Sequence, residues 1–376
     1  MFRVCDFKFV NAKFISRNCI RVDDVPKPWD ARKILRDACL EGNMYIATIA
    51  VMRGGIDWRY GIREACKGGH ADMVNFMIKH GVDGWENGLR GACEGGNRDL
   101  AMLMIKHGAT IFNDGLNASC EGGHIDLAML MIEKGATWWD GGLRCACIGR
   151  HLDLAMLMIE RGADDWNWGL WGACEGGHID LVMLMIERGA NDWNSGLEGA
   201  CKGGHRDIVM LMIEKGADRW NAGLFCACVG GHLDLVMLMI ERGACNWNNG
   251  LCCACKGGHL DIVMLMIDRG ATYWDWGLSG ACLGGHLDLV MLMIERGADD
   301  WNWGLYDACK GGHCDIVNLM IDRGADDWNK GLQYARVEGH IEVVNLIIEW
   351  IVESQDGACC KGHTTNLNSS QYKLAY

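Results

Sequence analysis

Cysteine and histidine stand four residues apart at Cys66 and His70, at Cys174 and His178, and at Cys255 and His259. That spacing can put two metal ligands on one helix face. With 21 cysteines in 376 residues, metal binding or redox work is the first chemistry to weigh. Three features count against it. Gly176 and Gly177 fall between Cys174 and His178 and end the helix that would align the pair. The pair in the next repeat lies roughly 10 Å away by helix packing, whereas zinc holds its ligands at about 2.3 Å. Asn43 and Asn97 stand where the other repeats have histidine, and asparagine can hydrogen-bond in its place but ligates zinc poorly. The cysteine therefore reads as a small buried hydrophobe and the histidine as a polar residue that bonds its neighbour's turn. Cys145 with Cys147, Cys226 with Cys228, and Cys252, Cys253 and Cys255 lack a C-x-x-C spacing and read as small residues on a packed helix. A Cys-rich metal- or redox-responsive protein is the competing reading from another class.

Catalysis by carboxylates fares no better. Asp126, Asp153, Asp180, Asp207, Asp234, Asp261 and Asp288 occupy one repeated position, which suits helix-end electrostatics rather than a unique acid and base. No glycine loop joins a strand to a helix in the way nucleotide binding requires. An active site needs singular residues, and the expectation is a protein with no catalytic residues, no metal and no cofactor.

The elements behind these motifs are repeats. The run Trp166 to Asp192 recurs in register, so that His178 is preceded by His151, His124, Asn97, His70 and Asn43 and followed by His205, His232, His259, His286, His313 and His340. Twelve copies of 27 residues tile the chain. A unit so small is stable only when neighbours stack on it. Within it, Asn167 offers a cap for a first helix, Leu170, Ala173 and Cys174 fill that helix, and Gly176 and Gly177 close it. A second helix follows His178, with Asp180 near its positive end, Arg188 near its negative end and Gly189 in the left-handed closing position. In the last repeat Ile351 replaces this glycine, which predicts a final helix running through Trp350 to about Glu353.

The run G-L-x-x-A-C-x-G-G-H-x-D-L-V-x-L-M-I-E-R-G-A-D resembles the ankyrin repeat over about residues 31–353. The resemblance implies an all-α ankyrin-type helix-turn-helix solenoid of about twelve repeats. Two departures stand out: Asn-x-Gly replaces the opening Thr-Pro, and six residues are missing where the family builds its hairpin fingers. The chain is similar to the fingerless ankyrin arrays associated with large DNA viruses of amoebae, which would place it in the host cytoplasm.

Three segments follow from the register. Residues 1–30 form a lead-in or N-terminal cap, residues 31–353 the array, and residues 354–376 a tail in which Ala358 to His363 echo a decayed half-repeat. The net charge of −13 opposes nucleic acid as a partner, because phosphate neutralisation needs clustered lysine and arginine. The second helices are apolar for too few residues to span a bilayer, and the N-terminus lacks the apolar core of a secretory signal. A cytoplasmic monomer with reduced thiols and no membrane or nucleic-acid partner is the expectation.

Function should lie where the repeats differ. The free positions fall ten, seven and three residues before the histidine, on one face of the first helix. Aromatics gather there in the second half: Trp168, Trp171, Phe225, Trp276, Trp303 and Tyr306. Aromatics among charges are the usual composition of a binding hot spot, and the resemblance implies that this concave face takes a protein partner. An adaptor that recruits host machinery such as a ubiquitin ligase through its termini is the alternative. A methionine stripe five residues after the histidine, including Met183 and Met210, reads as convex packing in preference to an adaptable interface. The tryptophan that opens most repeats, as at Trp166, reads as a ladder covering the joint between repeats.

Overall fold

The computed structural model describes residues 31–351, apart from 55–57, 339 and 341–342. The lead-in at 1–30 and the tail at 354–376 lie outside the described residues. All regular structure among the described residues is helical, in a tandem series of first and second helices. The series forms two compact bodies, one ending at Ala244 and the other beginning at Cys245.

One repeat of the first body shows why the sequence folds this way. Its first helix is Trp166–Gly176 and its second is Ile179–Arg188. Asp165 caps the first helix, its Oδ1 accepting from the Trp168 N–H at 3.0 Å. Gly177, at φ +79°, closes that helix, and Gly189, at φ +112°, closes the second. Leu170, Ala173 and Cys174 of the first helix and Leu181, Val182 and Met185 of the second are buried. Each large apolar side chain so buried contributes about 2 kcal/mol. That offsets the roughly 1 kcal/mol which every glycine inside a helix costs against alanine.

Glycine is needed there because the first helices of successive repeats come unusually close. A Cβ on Gly176 would stand 2.4 Å from the carbonyl oxygen of Ile148 in the preceding repeat, and one on Gly172 would stand 2.5 Å from that of Arg144. The facing sulfur chemistry belongs to the same packing, since a Cβ on Gly196 would meet Met212 Sδ at 2.5 Å and Cys174 Sγ at 3.5 Å. The second body repeats the arrangement, with Gly280 against the carbonyl of Cys252 and Gly284 against that of Lys256.

Asn167 has a different task from the expected cap. The helix already begins at Trp166, so the Asn167 side chain projects toward the next repeat, where Oδ1 accepts from the N–H groups of Asn191 and Asp192 at 2.8 and 2.9 Å. The same bridge is made in the first body by Asn113, Asp140 and Asn194, and in the second by Asn248, Asp275 and Asn302. It supplies acceptors for backbone N–H groups in the short loop that joins one repeat to the next.

In the final repeat residues 343–351 are helical, Ile351 is buried, and Trp350 Nε1 donates to Asn318 Oδ1 at 3.0 Å. The remainder of the expected helix, at 352–353, lies outside the described residues.

One residue breaks the glycine rule. Arg150 holds φ +63° at the first-helix terminus where its counterparts are glycine. A left-handed L-residue costs roughly 1 kcal/mol or more. Arg150→Gly is therefore expected to stabilise the array by about 1 kcal/mol, read as a rise in the thermal midpoint; a lower midpoint would show that the arginine side chain outweighs its backbone strain.

Candidate partner-binding face

The repeated histidine is a structural bond between neighbours. His178 Nε2 lies 3.1 Å from the carbonyl oxygen of Ile148, and His205 Nε2 lies 3.1 Å from that of Glu175. A carbonyl only accepts, so this ring nitrogen carries the proton. The ring also occupies the space beside the preceding repeat's closing glycine, where a Cβ on Gly177 would stand 2.3 Å from His205 Cε1. Asn97 substitutes directly, its Nδ2 donating to the carbonyls of Cys66 and Lys67 at 2.9 Å.

Most of the described cysteines lie inside, whereas Cys245 is exposed. Cys66 and Cys174 are fully buried, and desolvation pushes both thiols up to about 12, with Cys147 adding to the effect on Cys174. A thiol so held stays protonated and is a poor nucleophile or ligand. Cys145 of the doublet is buried as well, while Cys226, Cys252 and Cys253 are half-buried. Among the described residues no three His, Cys, Asp or Glu side chains are grouped to hold a metal ion.

The variable face of the first helices carries a different kind of arrangement. In the first body, Glu94 is gripped by Arg63 at 2.7 Å and by Lys67 at 2.5 Å. Burial alone would raise its pKa, but these two hydrogen bonds outweigh it and hold the carboxyl below its ordinary range. Glu175 repeats the pattern with Lys202 at 2.7 Å and Arg144 at 3.9 Å. Those two cations also cover Trp171, Arg144 Cζ lying 4.4 Å and Lys202 Nζ 5.1 Å from its ring centroid. Trp168 packs beside Trp138 with 5.4 Å between centroids, and both Trp168 and Trp171 are half-buried. Together with Arg144, Asp165, Asn167, Ser195 and Glu198 they line a cleft of about 650 Å³. Phe225 is half-buried on the same row of positions and lies outside this lining.

In the second body Trp276 and Trp303 are exposed, at 49% and 54%. Tyr273 joins them, edge-on to Trp276 at 5.3 Å. Tyr306 is only 9% exposed: its ring lies between Trp303 and Tyr334, at 6.1 and 5.9 Å, and its hydroxyl donates to Asp327 at 2.6 Å. Burial, then that bond to a carboxylate, raises its pKa. Tyr306 thus supports the patch and offers little surface of its own.

Residues 197–275 match the family model described as ankyrin repeats (3 copies). Over these residues the chain carries ankyrin repeats. A solved structure similar to it is the human ASB11 ankyrin repeat domain, at 23% identity over 46% of this chain and 96% of that one, with a TM-score of 0.30. No curated protein matches.

The ankyrin second helices show one burial pattern that the repeat unit conceals. Within the triplet Met183, Leu184 and Met185, the last is fully buried, whereas Met183 is 41% exposed. The stripe read as convex packing is thus mixed, Met183 facing solvent while Met210 is half-buried, and the fully buried sulfur is two residues further on. Ile179, one turn earlier on the same helix, is exposed beside Met183. The opening tryptophans Trp166, Trp193, Trp220, Trp247, Trp274 and Trp301 are half-buried, each under the cation that ends its own repeat, as with Arg188 Cζ 5.9 Å from the Trp166 centroid. No described helix of this ankyrin array is long and apolar enough to cross a membrane.

His178 carries a pH signature. Desolvation holds its pKa below the ordinary histidine value, Arg150 and His205 push the same way, and the Ile148 carbonyl and Asp180 oppose them. A folded pKa below the unfolded one means that protonation favours unfolding. This contribution to stability is complete above about pH 6.5 and is lost as pH falls below it. His178→Asn, which keeps a donor for the carbonyl, is expected to stay within about 1 kcal/mol of the parent at pH 7 and to gain on it as pH drops to about 5. Urea midpoints across that range decide it; a gap that widens against the variant in acid would reverse the assignment.

Proposed function

We propose that this ankyrin array is a protein-interaction scaffold that takes its partner on the concave first-helix face. The observation that carries the reading is the coincidence of variability and exposure. Positions kept in most repeats are consumed by glycine contacts, buried thiols and histidine bonds, while the varying positions hold Trp168 and Trp171 beside a cleft and leave Trp276 and Trp303 open. Large rings in a setting of charge provide much contact area for little lost entropy, the usual make-up of binding anchors. Phe225 and Tyr306 complete the proposed set, Tyr306 by bracing Trp303. The scaffold acts by binding rather than catalysis, and its carboxylates and thiols are supports of the fold.

The test is capture from cytosol with the full chain and with a Trp168→Ala, Trp171→Ala double variant. The helical circular dichroism signal should be kept while affinity for a captured protein falls about thirtyfold or more, the loss typical of a hot spot. Equal capture by both proteins would remove this face from the function.

A further inference from the structure

The cleft in the first body has an imbalance that nothing inside the fold resolves. Its one lining cation, Arg144, lies 3.9 Å from Glu175 and over Trp171, with its Nε buried and unbonded, against two lining carboxylates, Asp165 and Glu198. Asp165 uses Oδ1 to cap the helix and has Oδ2 left over, and Glu198 makes no hydrogen bond or ion pair among the described residues. Burial pushes the Glu198 carboxyl upward against the lowering influence of Arg219, and Asp192 adds to the rise. Arg219 is itself exposed and influences Glu198 only through its charge. Glu198 is thus a half-buried acid with no bonded counter-ion, facing the same cleft as two indole rings.

The geometry points to a guanidinium or ammonium side chain of a protein partner as the occupant of this cleft, lying against Trp168 and paired with Glu198. The inference rests on the proposed use of this face and adds the chemistry of what it takes. Charge complementarity selects the occupant: an anionic side chain would meet Glu198 and Asp165, and a neutral apolar one would leave Glu198 buried and unpaired. An arginine fits best, since its planar group can stack on an indole while its N–H groups donate to a carboxylate. The fold uses the same pairing internally, where Arg144 lies over Trp171 and Arg188 over Trp166. At about 650 Å³ the cleft exceeds one side chain and has room for the adjoining backbone of a basic segment.

The test uses the full chain and a capped Gly-Arg-Gly peptide, with the citrulline peptide as its neutral counterpart of equal shape. The readout is the Trp168 indole N–H resonance, assigned through Trp168→Phe. The arginine peptide should shift this resonance saturably with a millimolar dissociation constant, and the citrulline peptide should not. Glu198→Gln should weaken the arginine peptide about fivefold or more. Equal response to both peptides, an unchanged constant in Glu198→Gln, or no saturable shift up to about 50 mM peptide would overturn the inference. The comparison of peptides needs only the unaltered protein, so it stands even if Glu198→Gln folds poorly. If the peptides fail while partner capture still depends on Trp168 and Trp171, the scaffold stands and the cationic occupant falls; if neither pair of experiments succeeds, the face itself is not the site.

Discussion

The approach of each first helix to the carbonyls of the one before it is the constraint on which the rest of the structure depends. At Gly176, and at Gly149 and Gly203 in the repeats beside it, there is no room for a Cβ. A helix carrying so many glycines is intrinsically weak, and it persists because its neighbours bury Leu170, Ala173 and Cys174. The histidine bond is a product of the same closeness. His178 reaches the Ile148 carbonyl only because the helix ending at Gly149 lies against the one ending at Gly176. Cysteine at the position of Cys174 is a packing residue, and burial holds its thiol protonated.

That constraint divides labour along the repeat. The glycine two residues before the histidine, as at Gly149, Gly176 and Gly203, touches a neighbour's backbone and is kept in most repeats, whereas the position of Gly172 also takes Ala118, Cys145 and Asp307, and the positions of Trp168, Trp171 and Glu175 vary more widely. There, Trp171 is clasped by Arg144 and Lys202 while Glu198, at the equivalent position one repeat on, lies open. The stack supplies a rigid frame, and single substitutions on the frame change what it presents.

Much of the fold was legible in the sequence because it repeats. The register of histidines and closing glycines located both helices, and Asn43 and Asn97 in place of histidine pointed to a residue that bonds its neighbour's turn, as His178 and Asn97 do. What could not be read depends on partners in the next repeat or on one residue of helix phase. Asn167 has the chemistry of a cap, but the helix starts a residue earlier at Trp166, and its true acceptor role toward Asn191 and Asp192 is set by the stack. Met183 and Met185 are chemically identical, and only the helix rotation buries one of them. Tyr306 shares the variable face with Trp303, yet Asp327 of the following repeat draws it inward. The same holds for the cleft: Trp168 and Trp171 were legible as aromatics, whereas Glu198 became notable only once its lack of a bonded partner was seen.

The most direct measurement of the central constraint is the stability of Gly203→Ala. In an ordinary helix this change gains up to about 1 kcal/mol. Here the new Cβ would stand 2.1 Å from the carbonyl oxygen of Glu175, a backbone atom that no rotamer change can move aside. The account predicts a loss of about 2 kcal/mol or more in denaturant unfolding, with the repeats on either side of Gly203 exchanging their amide protons fastest. A variant as stable as the parent, or more so, would show that the first helices are not held at the distance on which this description rests.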